Sequence, residues 1–152
     1  MNSHSKPMIL EDFLPYRLSL LSNTISSRIA ATYQDKFGIS MPEWRIMAVL
    51  AEYPESAADD VCQRTRIEKS VVSRAVARLL GRHLLVREFD QQDRRRSILS
   101  LSETGQAVYA EVMPVAEHFE GLFLSGLNEA EKKQLSTLLT KLQSRADSLV
   151  EN

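Results

Sequence analysis

Hydrophobic spacing changes character only once along this chain, and that change restricts the fold more than any other feature. Leu84-Leu85-Val86-Arg87-Glu88-Phe89 and Ser97-Ile98-Leu99-Ser100-Leu101 are strand-like and flank a polar tip, Asp90-Gln91-Gln92-Asp93-Arg94-Arg95. Two strands around a charged tip make a hairpin. Everything before and after repeats at helical spacing. Leu14, Leu18, Leu21, Ile25, Ile29 and Tyr33 predict a long helix from about Pro15 to Phe37. Pro15 suits its first turn and Gly38 its left-handed stop. Ser40-Met41-Pro42-Glu43 reads as a capping box, opening a helix that presents Ile46, Val49, Leu50 and Tyr53 and stops before Pro54. Ser56-Ala57-Ala58-Asp59 reads as another N-cap, for a short helix reaching about Arg64. A turn at Thr65-Arg66-Ile67 leads to a further helix from near Glu68 to about Arg82. Its inner face is Val72, Ala75, Val76, Leu79 and Leu80; its outer face is Lys69, Ser70, Val71, Ser73, Arg74 and Arg78.

Beyond the hairpin, Ser102 is the expected N-cap of a helix lined by Val108, Val112, Val115, Phe119 and Leu122, with Pro114 predicting a kink. Asn128-Glu129-Ala130-Glu131 starts the last helix. Leu135, Leu138, Leu142, Ala146 and Leu149 follow near a heptad seam. The order is long helix, three short helices, hairpin, two long helices. This is a mainly α fold with a small β-hairpin wing: a winged helix-turn-helix inserted between N- and C-terminal helices. The second helix of such a unit is shaped to enter a major groove.

Composition narrows the function. A chain of 152 residues is one domain, or two small lobes sharing a core, that buries about 70% of its unfolded surface and needs no staple. No apolar run approaches the ~20 residues of a membrane span. Met1-Asn2-Ser3-His4-Ser5-Lys6 has no apolar stretch behind its charge, so a cytoplasmic protein without membrane partners is expected. The single cysteine, Cys62, excludes an internal disulfide and a multi-cysteine zinc site. His4, His83 and His118 are far apart, so no metal and no cofactor are expected. Charge is segregated. Between Arg64 and Arg96 stand ten Lys or Arg against four Asp or Glu, a net +6 inside a chain whose total is −1. Such a window suits either a polyanion-binding face or a solvated arginine-rich surface.

Taken in order, these segments resemble the MarR family of transcriptional regulators from Pro15 to Leu149. The strongest part is Ile67-Glu68-Lys69-Ser70-Val71-Val72-Ser73-Arg74-Ala75-Val76-Ala77-Arg78-Leu79-Leu80, similar to the family's recognition helix. Asp93-Arg94-Arg95 follows, then Leu101-Ser102-Glu103-Thr104-Gly105, which resembles the family's Leu-Thr-x-x-Gly with Ser replacing Thr. One departure is His83, where the family usually has glycine before the first wing strand. Either His83 adopts the left-handed conformation or the preceding helix runs further.

The resemblance implies a DNA-binding regulator of bacterial or archaeal type, nucleoid-associated, with repression the usual mode. Residues 40–101 would form the DNA-binding lobe of a single 1–152 domain, and 11–38 and 102–152 its dimerisation helices. Lys69, Arg74 and Arg78 would supply charge to phosphates. Ser70, Val71, Ser73 and Arg74 are candidates for base edges. Arg94, Arg95 and Arg96 form the wing's basic run, with Arg95 the minor-groove candidate. Asp93 is expected to hold the Arg95 guanidinium, or else to serve ordinary turn chemistry. A homodimer interface is expected from Leu14, Leu18, Leu21, Phe119, Leu122, Phe123, Leu135, Leu138, Leu142 and Leu149, presenting two recognition helices to a pseudo-palindrome. Many family members are released by small phenolic or aromatic anions. Tyr16, Arg17, Trp44, Met47 and His118 are the candidates here, each with a competing core or surface role.

Other classes compete. No Gly-rich phosphate loop, His-Glu-x-x-His run or nucleophile elbow is present, so no enzyme is expected. A thiol-based regulator would have to use Cys62, against which stands its reading as a small buried hydrophobe. A winged-helix module that binds protein would carry apolar anchors on the helix from Lys69 to Arg82. That face instead carries lysine, serines and arginines.

Overall fold

The computed structural model describes residues 7–150. The charged Met1–Lys6 stretch with His4, and residues 151–152, lie outside the described residues. Six helices and a small sheet follow in the order α1 (Leu14–Phe37), α2 (Met41–Glu52), β1 (Ser56–Ala57), α3 (Ala58–Thr65), α4 (Lys69–Gly81), β2 (Leu85–Phe89), β3 (Ser97–Leu101), α5 (Glu103–Leu124) and α6 (Glu129–Val150). The fold is thus mainly α with a winged helix-turn-helix, as expected. Two compact units divide the chain, one ending at Ala116 and one beginning at Glu117.

In the first unit the apolar faces of α1, α2, α3 and α4 meet the sheet and the start of α5. Tyr33, Ile39, Ile46, Met47, Val72, Leu79, Leu99 and Val112 are almost wholly buried there. The α1 stripe divides along its length. Tyr33 is buried and Ile29 packs at the core's edge, whereas Leu14, Leu18 and Leu21 are exposed. Gly38 ends the helix at φ +62°, as its position predicts. At the start of α2, the Glu43 amide donates to Ser40 Oγ at 3.3 Å. The Glu43 carboxylate accepts the Ser40 hydroxyl rather than its amide, so only half of the capping box forms as expected. Tyr53 is exposed instead of facing inward, and the Arg64 guanidinium lies 3.5 Å above its ring.

The wing is larger than a hairpin. Ser56 and Ala57 pair with Leu99 and Ile98, making the sheet three-stranded in the order β1-β3-β2. The expected Ser56 cap is not formed: Ala57 is the N-cap of α3, and the Ser56 hydroxyl donates backwards to the Tyr53 carbonyl at 2.6 Å. The left-handed Glu55, at φ +58°, turns the chain into this short strand. Antiparallel pairing of β2 and β3 runs from Leu85 opposite Leu101 to Phe89 opposite Ser97. His83 sits at φ +58° and α4 stops at Gly81, which settles the departure in favour of a left-handed histidine.

Ser102 caps α5 as expected. Its Oγ accepts the Gly105 amide at 2.9 Å while its hydroxyl donates to the His83 carbonyl. The Ser102 amide donates to the Leu84 carbonyl at 3.0 Å. Gly105 is needed there because a Cβ would lie 2.0 Å from that same carbonyl oxygen. Pro114 does not end the helix; α5 continues through it to Leu124. A proline removes only one helical N–H bond. Val112 is buried and Leu122 is exposed. Before α6, Asn128 and Glu131 exchange amide-to-side-chain bonds of 3.0 and 2.8 Å, a complete capping box.

Candidate nucleic-acid interface

Helix α4 owes its orientation to its alternation of small hydrophobes and polar groups. Val72, Ala75, Val76 and Leu79 are buried, so Lys69, Ser70, Ser73, Arg74 and Arg78 are left on the exposed side. Val71, expected outside, is half-buried. The turn that delivers α4 is built locally. The Thr65 hydroxyl bonds to the Val61 carbonyl at 2.9 Å, and Arg66 caps α3 in the left-handed region at φ +54°. At the other side of the turn, the Ser70 hydroxyl donates to the Glu68 carboxylate at 2.8 Å. The Arg74 Nε donates back to the Ser70 carbonyl at 3.4 Å.

Two arginines of this face have structural partners that sequence reasoning missed. Arg78 pairs with the buried Glu43, Nε to Oε1 3.2 Å. Arg82 donates to the carbonyls of Phe37 and Gly38, closing the C-terminus of α1. The available signal was modest: an acidic third residue in α2, and basic residues four apart on α4.

At the wing tip the Asp90 amide donates to the Arg96 carbonyl at 2.9 Å and the Arg96 amide to the Asp93 carbonyl at 3.0 Å. Asp93 Oδ1 accepts the backbone N–H of Arg95 at 3.0 Å. Asp90 Oδ1 likewise accepts from Gln92 at 2.9 Å. Both acids therefore shape the turn through the backbone, in the Asx manner, and Asp93 does not hold the Arg95 guanidinium as expected. Arg94 and Arg95 are exposed, and their side chains have no partner among the described residues. Arg96 reaches Asp60 of α3 at 3.4 Å, tying the wing's base to the helix-turn-helix.

The effector candidates differ in their surroundings. Met47 is wholly buried in the core. Tyr16 and Arg17 are exposed on α1. Trp44 stacks between Tyr33 and Tyr109, with ring centres 5.4 and 5.2 Å away and both planes within 18°. His118 belongs to the second unit, where its ring meets Phe119 edge-on at 5.9 Å. A groove of about 440 Å³ is lined by Leu50, Pro54, Glu55, Leu101, Gln106 and Tyr109, among others, and by none of the five. Cys62 packs partly buried against the core.

The expected interface residues Leu14, Leu18, Leu21, Leu122, Phe123, Leu135, Leu138, Leu142 and Leu149 are all exposed, and Phe119 is half-buried. No described residue of α6 is buried. Among the described residues no group of His, Cys, Asp or Glu is placed to hold a metal ion. None of the described helices is long and apolar enough to cross a membrane.

The model of the MarR family matches residues 37–96, from the end of α1 to the wing tip. The HTH-type transcriptional regulator BilQ of Clostridium symbiosum is 29% identical over 107 residues, covering 70% of this chain and 74% of its own. The crystal structure of a MarR/EmrR family transcriptional regulator from Acinetobacter sp. ADP1 superposes with a TM-score of 0.84 at 29% identity, over 93% of this chain and 99% of that one. Bordetella bronchiseptica BpsR, whose DNA binding is regulated by 6-hydroxynicotinic acid, superposes with a TM-score of 0.80 at 25% identity, over 91% and 98%.

Proposed function

We propose that the chain is a transcriptional regulator of the MarR family, which it resembles in sequence and fold, that it represses transcription as a homodimer on a pseudo-palindromic operator, and that it is released by a small aromatic or phenolic ligand. The observation that carries this reading is the exposed face of α4, where Lys69, Ser70, Ser73, Arg74 and Arg78 stand over a fully apolar inner face. In this reading α4 enters the major groove. Lys69 and Arg78 neutralise phosphates, and Ser73 and Arg74 meet base edges. Ser70 acts from its bond to Glu68. Arg94 and Arg95, free of partners at the wing tip, take the minor groove.

Residues 40–101 act as the DNA-binding lobe, and 11–38 with 102–152 as the dimerisation helices. Support for the dimer is the exposed leucines of α1 in the first unit and, separately, those of α5 and α6 in the second, more large apolar side chains than a stable monomer leaves to water. Two-fold symmetry would set two copies of α4 about one helical turn apart on DNA. Ligand release is supported by the likeness to BpsR, whose DNA binding is regulated by 6-hydroxynicotinic acid.

The test is Arg95→Ala. Its expected result is an unchanged melting curve with operator affinity reduced by about 1–3 kcal/mol, roughly 5- to 160-fold. Wild-type affinity in that variant removes the minor-groove assignment. A wild-type chain whose duplex binding is indifferent to salt removes DNA binding altogether, because phosphate neutralisation makes affinity fall steeply with salt. A monomeric mass at micromolar concentration removes the dimer.

A further inference from the structure

Glu43 is the buried charged side chain of the core, 4% exposed, and its countercharge comes from α4. Its Oε1 accepts the Ser40 hydroxyl at 3.0 Å and meets Arg78 Nε at 3.2 Å. The Arg78 side chain is 62% exposed against 5% for Glu43, and among the described residues its Nη groups donate no hydrogen bond. A buried carboxylate stripped of its cation is strongly destabilising, so Arg78 is held at Glu43 and does not leave it to reach a phosphate. It has to serve both, and a guanidinium with five donors in a fixed plane can do so.

We propose that Glu43 is the positioning residue of Arg78, holding the guanidinium through Nε and leaving its Nη edge to a DNA phosphate. Arg78 thereby bridges a carboxylate inside the protein and the backbone of the duplex. This rests on the DNA-binding reading above. Lysine makes a poorer bridge, because its three donors share one nitrogen and it has no planar second edge to present to the phosphate. Its one nitrogen lies a single bond beyond the place of Nε, which lets it reach Glu43, and a lysine drawn to Glu43 is withdrawn from the phosphate.

The test measures binding of the full chain to a fluorescently labelled, mixed-sequence duplex across a salt series, since phosphate contacts do not depend on sequence. Wild type, Arg78→Lys, Glu43→Gln and the double variant are compared, each with a thermal melt. Arg78→Lys should fold normally, bind several-fold more weakly, and show a log-affinity against log-salt slope shallower by about one per protomer. Glu43→Gln keeps an acceptor for Nε and should keep the slope. The double variant should regain the wild-type slope, because its lysine is no longer drawn inward by a charge. A purely structural pair predicts no such rescue. An unchanged slope in Arg78→Lys, or a double variant as shallow as Arg78→Lys, overturns the bridge. Should the Gln substitution unfold the chain, Arg78→Lys is compared with Arg78→Gln. Equal slopes support the bridge, and a wild-type slope for the lysine overturns it. Absence of salt-dependent binding by the wild-type chain overturns the DNA-binding reading itself, a result distinguishable from all of these.

Discussion

Replacing Gly105 with alanine should loosen the joint between the wing and α5. The added Cβ would lie 2.0 Å from the Leu84 carbonyl oxygen and 3.0 Å from its carbon. An ordinary close C···O approach is about 3.3 Å, so the backbones must part by roughly 1.3 Å. The same carbonyl accepts the Ser102 amide at 3.0 Å, and a separation of that size takes this bond beyond hydrogen-bonding distance. Overpacking costs about 1–3 kcal/mol and the lost bond about 1 kcal/mol. Helix propensity returns at most about 1 kcal/mol. The net loss is about 2 kcal/mol, or about 4–8 °C in Tm for a chain of this size. Gly81→Ala is the matched control, because a Cβ there meets nothing within 4 Å. It should hold or raise Tm. Circular-dichroism melts at one fixed protein concentration decide the matter. Equal melting temperatures for the two variants would refute the close-approach reasoning.

Other perturbations probe the remaining features. His83→Gly relieves a left-handed histidine at φ +58° and should stabilise the chain by about 0.5–1 kcal/mol, read from the urea midpoint. Asp93→Asn keeps the acceptor for the Arg95 amide, so DNA affinity should stay within about twofold of wild type; a loss near that of Arg95→Ala would mean that the charge of Asp93 acts on the guanidinium after all. Burial raises the Tyr33 phenol above the ordinary tyrosine value, with Arg45 pulling it down. Its folded value exceeds its unfolded one, so its contribution is intact below about pH 10 and is lost as pH climbs towards the folded value. The stability of wild type relative to Tyr33→Phe should therefore fall over that alkaline range in urea titrations, and a constant difference would contradict the burial argument.

Much of the fold is written in local chemistry, which a single sequence exposes well. Gly38 at the end of α1, Ser102 before α5, and Asn128 with Glu131 before α6 each act within a few residues of their own position. The period-two stretches of the wing are equally local. What escaped reading depends on distant partners or on segments too short to show a period. Ser56-Ala57 has only two residues, so its strand is defined by Ile98 and Leu99 across the sheet. Its serine is chemically as fit for a cap as for the backward bond it makes. Asp93 and Arg95 were correctly brought together, but the aspartate's choice of amide over guanidinium is set by the curvature of the tip. On α4, burial of the inner face was legible from spacing. The division of its arginines was not, because Glu43 and the carbonyls of Phe37 and Gly38 come from another part of the chain. The leucines of α1 form one unbroken stripe in sequence, and Leu14, Leu18 and Leu21, expected at an interface and not in the core, are exposed.

The sandwich of Trp44 between Tyr33 and Tyr109 has a practical corollary. Trp44 is the single tryptophan of the chain, and its two neighbours come from α1 and α5 while it stands on α2. Its ultraviolet emission therefore arises from one spot where three helices touch. Any event that slides one of those helices against the others changes the colour or brightness of that light, giving an intrinsic optical gauge that needs no attached dye.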